Sequence, residues 1–94
     1  MNQDELRKAA EHFERIATRM SATVPLAGSM LRGMHSIITR VKEGKVTSPM
    51  EMRDIPYGYM QANGGMRPYS ELENAYSALS LKLCDIKVPD QLRW

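Results

Sequence analysis

The chain has 94 residues, of which 43% are hydrophobic and 26% charged, and its net charge is +2. This composition is typical of one globular domain, and the charge is too small to indicate a nucleic-acid partner by itself. A single cysteine excludes an internal disulfide, and no stretch approaches the roughly 18 apolar residues that a membrane span needs. We therefore expect a single domain over residues 1–94 that is cytoplasmic and does not contact a membrane.

The first segment has an apolar stripe at alternating steps of three and four residues, which predicts a helix from about residue 3 to 21. The stripe consists of Leu6, Ala9, Ala10, Phe13, Ile16, Ala17, Met20 and Val24. Asp4 and Glu5 lie in the first turn, where the helix dipole favours negative charge. This is the clearest helical pattern in the chain.

A second stripe predicts a helix from about residue 25 to 43, ended by Gly44. Its members are Ala27, Met30, Leu31, Met34, Ile37, Ile38 and Val41. A different face of the same helix carries the small residues Ser29, Gly33 and Ser36, so another backbone can approach it closely. Two interpretations remain open for this face: a tight helix crossing within the molecule, or a surface for self-association or for a partner.

The segment after the second helix is poorly patterned. Ser48-Pro49-Met50-Glu51 has the form of a capping box with proline at the first helical position, which predicts a short helix over about 49–54. Residues 55–68 have no sustained apolar period and are predicted to form a loop, with one turn at most through 59–62 before Asn63-Gly64-Gly65.

A third stripe predicts a helix from about residue 69 to 87, followed by a tail over 88–94. The stripe contains Leu72, Ala75, Tyr76, Leu79, Leu83 and Ile86. Since no stretch alternates as a strand would, we predict an all-α fold. The expected architecture is a small three-helix bundle, made of a helical hairpin and a C-terminal helix, with a long connection rich in Met, Tyr and Gly between the second and third helices.

Residues that could carry catalysis are few and scattered. His12 and His35 lie on the polar sides of their helices, and Cys84 has no neighbouring histidine or pair of cations that would activate it. The spacing of these three residues does not match a zinc site, and the sequence has no phosphate-binding glycine motif. We therefore expect a protein that is not an enzyme and has no cofactor or metal.

Methionine and tyrosine are concentrated in the connection, and both side chains are common where a protein grips a partner. The residues predicted to bind a partner are Met50, Met52, Tyr57, Tyr59, Met60, Met66, Arg67 and Tyr69. The alternative is that these side chains fold back as a lid over the helices.

The leading functional hypothesis is a non-enzymatic helical protein that binds and modulates a larger protein. An inhibitor, an adaptor or an accessory factor of the size that bacteria and phages encode would fit. One alternative is a nucleic-acid-associated protein that uses Arg40, Lys42 and Lys45 at the basic end of the second helix. Another is a structural homo-oligomer built through the strips of small residues.

Overall fold

Four helices follow one another in the computed structural model, which describes residues 2–88. They are α1 (Gln3–Met20), α2 (Pro25–Lys42), α3 (Gly58–Ala62) and α4 (Ser70–Leu83), and a 3₁₀ turn covers Met52–Asp54. Residues 2–88 contain no strand, so the prediction of an all-α fold is confirmed. Of the predicted tail at 88–94, only Val88 lies within the described residues.

The amphipathic helix α1 lies at the centre of the packing and contacts both α2 and α4. Its apolar stripe is buried from Leu6 to Ala17, as the three-and-four spacing requires, and Met20 and Val24 at the end of the stripe are partly buried. The buried core also draws side chains from the segment between α2 and α4. It comprises Leu6, Ala9, Ala10, Phe13, Ile16, Ala17, Ala27, Met30, Met34, Ile37, Ile38, Val41, Val46, Ile55, Met66, Leu72, Ala75, Tyr76, Leu79 and Leu83.

Two aromatic rings fix the contact between α1 and α4. Phe13 and Tyr76 are both completely buried, and their ring centroids lie 6.2 Å apart with the planes inclined at 67°. This edge-to-face arrangement contributes about 0.5–1.5 kcal/mol beyond the burial of the two rings. Exposed ion pairs between Arg19 and Glu71 and between Lys82 and Glu5 join the same two helices and add little in water.

Three helices end in the same way, with a residue in the left-handed conformation just past the last turn. These residues are Gly44 after α2 (φ 71°), Gly64 after α3 (φ 77°) and Asp85 after α4 (φ 58°). In each case the next backbone N–H turns back to a carbonyl of the final turn. The bonds are Lys45 N to Arg40 O (2.9 Å), Gly65 N to Met60 O (2.9 Å) and Ile86 N to Leu81 O (2.8 Å). This is the Schellman arrangement, and it satisfies carbonyls that the helix itself leaves unpaired.

The predicted extension of the last helix to residue 87 is wrong, because the left-handed Asp85 terminates α4 at Leu83. The chain then changes direction, and Ile86 leaves the apolar face on which helical spacing would have kept it. Ile86 is 49% exposed, whereas Val88 is only 4% exposed.

The predicted short helix over 49–54 is also wrong in its first half. The backbone N–H of Met50 donates to the carbonyl of Leu83 at 2.8 Å, so it is held against the end of α4. Glu51 is extended, and only Met52–Asp54 forms a 3₁₀ turn. The predicted loop over 55–68 contains α3, which ends at the glycines expected to stop it.

Candidate functional site

The segment between α2 and α4, residues 43–69, is called the connection below, and much of it packs against the helices. Val46, Ile55 and Met66 are buried in the core, with exposed fractions of 2%, 3% and 0%. Met50, Tyr57, Met60 and Tyr69 are partly buried and pack against the same core. The connection therefore covers the core over much of its length, as the lid alternative expected.

Tyr57 attaches the connection to α2. Its hydroxyl donates to the carbonyl of Ser29 at 2.9 Å and lies 2.7 Å from the Ser29 hydroxyl. The ring lies over Gly33, where an added Cβ would be only 2.6 Å from the Tyr57 Cε2 atom. In this structure a phenol ring from the same chain thus packs on the small face of α2 at Ser29 and Gly33, whereas Ser36 on that face is exposed. The two interpretations drawn from the sequence had considered another helix, a second copy or a partner, and not a side chain of the connection.

The backbone of Tyr57 is left-handed, with φ at 70°. A residue with a Cβ loses about 1–2 kcal/mol in this conformation relative to the right-handed one, so it is adopted only where the surroundings enforce it. In this conformation Tyr57 is hydrogen-bonded to Ser29 and immediately precedes α3, which begins at Gly58. Local sequence is a poor guide to this conformation, since the neighbouring Gly58 would be the ordinary choice for a positive φ.

Two further contacts attach the connection to α4. The hydroxyl of Tyr76 donates to the carbonyl of Pro56, and the side-chain amide of Gln61 donates to the Ser77 hydroxyl. Burial raises the pKa of Tyr76, which keeps the phenol protonated as a donor. The buried phenol therefore has a partner for its polar atom, as a completely buried tyrosine requires.

Two large apolar side chains of the connection remain in solvent. Tyr59 is 83% exposed and Met52 is 42% exposed, whereas Met66 is completely buried. The backbone carbonyl of Met52 would lie 3.7 Å from a Cβ at Gly58, so the two exposed residues belong to adjacent parts of the connection. Arg67 is also exposed, and its side chain lies along Gly64. The residues predicted to bind a partner thus form two groups. The exposed group is Met52, Tyr59 and Arg67, and the group packed against the core is Met50, Tyr57, Met60, Met66 and Tyr69.

The basic residues at the end of α2 are not gathered into one free cluster. Lys42 pairs with Glu14 of α1, and Lys45 pairs with Glu43 at 3.4 Å. Arg40 is exposed and has no carboxylate partner within residues 2–88. Among the three residues suggested for nucleic-acid contact, only Arg40 therefore keeps its charge uncompensated.

The titratable groups do not assemble into a reactive cluster in the described part of the chain. Burial, followed by the positive charge of Arg15, lowers the pKa of His12. Burial raises the pKa of the Cys84 thiol, which reduces the fraction of reactive thiolate. No group of three or more His, Cys, Asp or Glu side chains within residues 2–88 is placed to hold a metal ion.

A cleft of about 260 Å³ lies between the start of α1 and the end of α4. Its lining consists of Asn2, Glu5, Leu6, Lys82, Asp85, Ile86 and Lys87. The Lys82 ammonium is 2.6 Å from the Glu5 carboxylate, so these two charged groups are engaged with each other. Among residues 2–88, the lining of the cleft includes no histidine, cysteine or hydroxyl side chain that could act as a nucleophile.

No helix among residues 2–88 combines the length and apolarity required to cross a membrane. In comparisons with known proteins, no family model matches the chain, and no curated protein or solved structure is significantly similar to it.

Proposed function

We propose that this chain is a non-enzymatic cytoplasmic protein, built as a bundle of three long helices, that binds and modulates a larger protein. The contact surface is the exposed part of the connection around Tyr59 and Met52. An inhibitor, adaptor or accessory factor is the matching class of function.

The exposure of Tyr59 is the observation that carries the proposal. A tyrosine that is 83% exposed contributes nothing to the core, although its ring offers a large contact area and a hydroxyl for the rim of an interface. The connection that presents it is already folded, through the contacts of Tyr57, Tyr76 and Gln61. A pre-organised surface loses less conformational entropy on binding than a disordered loop does.

The test is capture of a partner from an extract of the native host with the full chain and two variants. Tyr59→Ser removes the exposed ring, and Ile86→Ser removes an exposed large apolar side chain far along the sequence. We expect a protein that is retained by the wild type and by Ile86→Ser and lost with Tyr59→Ser. All three chains should have the same helical circular dichroism. Tyr59→Ser should also keep the wild-type melting temperature because its side chain is 83% exposed, whereas Ile86 is 49% exposed and Ile86→Ser should lower the melting temperature slightly.

Retention of the same proteins by the wild type and Tyr59→Ser would contradict the proposal. Alanine at Tyr57 is a poor test by comparison, because it removes the contacts with Ser29 and Gly33 and so perturbs folding and binding together.

The alternatives have less support from the geometry. Nucleic-acid binding through Arg40, Lys42 and Lys45 is weakened by the carboxylates of Glu14 and Glu43, which compensate the two lysines. A homo-oligomer through the small face of α2 would first have to displace the ring of Tyr57 from Gly33.

A further inference from the structure

We infer that the outward face of α2, with Arg32 and Arg40 as its charged contacts, docks an acidic surface of the partner protein. The outward face is defined here by the exposed residues Arg32, Ser36 and Arg40. This inference rests on the proposed function and adds the chemistry of the partner.

The charge of α2 is unlike that of the other long helices. Its sequence, PLAGSMLRGMHSIITRVK, has no acidic residue, whereas α1 carries four and α4 carries two. Arg32 and Arg40 are exposed and pair with no carboxylate among residues 2–88. Most other basic side chains are compensated: Arg7 and Lys8 by Asp4, Arg19 by Glu71, Lys42 by Glu14, Lys45 by Glu43, Arg53 by Glu51, and Lys82 by Glu5.

The spacing of the two arginines suits a protein surface. They lie roughly two turns apart on the helix, a separation of about 12 Å along the axis at 1.5 Å per residue. Ser36 lies between them and has a short side chain, so a partner can approach both guanidinium groups at once. Carboxylates at a similar separation occur on one face of a partner helix, and guanidinium groups bind carboxylates through paired hydrogen bonds.

The same face is continuous with the proposed contact surface. Tyr57 lies over Gly33, one position beyond Arg32, and leads directly into α3 and Tyr59. Arginine and tyrosine are the residue types most enriched among the strong contacts of protein interfaces. A partner seated on the exposed connection therefore has the outward face of α2 beside it.

A protein is favoured over nucleic acid because the positive charge is local. Binding to a duplex depends on the neutralisation of many phosphates by a basic stripe. The bases that would extend such a stripe, Lys42, Lys45 and Arg53, are already paired with carboxylates. Two separate arginines match a few carboxylates on a folded surface better than a continuous phosphate backbone.

The test is an NMR titration of the full-length chain with two probes at the same ionic strength. The first probe is a synthetic helical peptide with glutamates at positions i, i+4 and i+8, and the second is a DNA duplex of arbitrary sequence. The signals to follow are the side-chain Nε–Hε groups of the arginines. We expect the peptide to shift Arg32 and Arg40 selectively, and the duplex to bind more weakly.

The matched variants are two double substitutions of exposed arginines to glutamine. Arg32→Gln with Arg40→Gln should weaken peptide binding roughly tenfold, because two charge-assisted contacts are lost. Arg7→Gln with Arg53→Gln removes the same formal charge from arginines that are already paired, and it should leave the affinity unchanged.

Several results would overturn the inference. These are the absence of any peptide-induced shift, shifts spread equally over the paired arginines, or a duplex bound through Arg32 and Arg40 at least as tightly as the peptide. Because the titration does not depend on Tyr59, it can succeed when the capture experiment fails. If capture depends on Tyr59 and the titration shows no binding, only the proposed contact through α2 is contradicted.

Discussion

Gly33 shows at the scale of one residue how the connection is attached. The ring of Tyr57 occupies the space that a side chain at position 33 would need, and its hydroxyl makes two hydrogen bonds to Ser29. The glycine weakens α2 as a helix by about 1 kcal/mol relative to alanine. The absence of a side chain at Gly33 permits the contact with Tyr57, which joins α2 to the connection. Local sequence patterns do not predict this contact.

Substituting Gly33 by alanine should therefore destabilise the protein despite the better helix propensity of alanine. The new methyl group would lie 2.6 Å from Tyr57 Cε2, so the ring has to move and the bonds to Ser29 weaken. We expect a loss of about 1–3 kcal/mol in the free energy of unfolding, measured by urea denaturation. Amide hydrogen exchange in α3 should also become faster.

The matched control is Gly28→Ala in the same helix. A Cβ there meets no atom closer than 3.6 Å, which is ordinary van der Waals contact. This variant should be stabilised by up to about 1 kcal/mol, because only helix propensity changes. Equal stabilisation of both variants would show that Tyr57 does not depend on residue 33.

His12 provides a prediction about pH at the same scale. Burial and the charge of Arg15 lower its pKa below the usual 6.5, and Glu71 opposes this only in part. The unfolded chain then binds a proton more readily than the folded one, so stability increases with pH in this range. The contribution of His12 is present in full above pH 6.5 and is lost as the pH falls through its lower, folded-state pKa.

Replacing His12 with glutamine should flatten the fall in unfolding free energy as the pH drops below about 7. The direct check is an NMR titration of the His12 ring in the folded chain. A midpoint above 6.5 would give the opposite sign and contradict the prediction.

At the scale of helices, the left-handed residue that follows α4 is an aspartate, which is poorly suited to that position. Gly44 and Gly64 adopt positive φ freely, whereas Asp85 at φ 58° has a Cβ and a negative charge next to the C-terminus of α4. Both features are unfavourable, because left-handed backbone favours glycine and the helix dipole favours cations at that end.

Asp85→Gly should therefore increase the free energy of unfolding by about 0.5–1 kcal/mol. Asp85→Asn removes the charge and keeps the side chain, so comparison of the two separates electrostatics from backbone conformation. Gly44→Ala is the control of opposite sign. A Cβ at Gly44 meets nothing within 4 Å, so its expected loss of about 1–2 kcal/mol is conformational alone. A decrease in stability for Asp85→Gly would contradict the account.

The helical elements were predictable to different degrees for definite physical reasons. The stripes of α1 and α2 repeat over several turns, and glycine marks the end of α2, so local pattern is sufficient there. The end of α4 was missed because aspartate is a weak signal for a left-handed residue. The non-helical Met50 was missed because its hydrogen bond partner, Leu83, is remote in sequence.

On the scale of the whole molecule, the composition of the connection indicated that its large side chains make contacts. It did not indicate which of them face the core and which face the solvent. Methionines and tyrosines without a period can face the core or the solvent, and the structure places Met66 inward and Tyr59 outward. This division follows from contacts between residues that are distant in sequence, such as the hydrogen bond from the Tyr76 hydroxyl to the Pro56 carbonyl. Local sequence patterns do not predict such contacts. The separation of a covering part from an exposed part therefore required the tertiary structure.

The pair Met66 and Met52 tests that division, since the two residues have the same chemistry and differ in burial. Met66 is completely buried in the core, so Met66→Ala should lower the free energy of unfolding by about 2–5 kcal/mol through lost contacts and a cavity. Met52 is 42% exposed, and Met52→Ala should change the free energy of unfolding by no more than about 0.5 kcal/mol. Because whole domains are stable by only about 5–15 kcal/mol, the first change is large enough to broaden or abolish cooperative melting. Urea denaturation followed by circular dichroism measures both variants, and equal small effects would mean that the connection lies outside the core and is free to open.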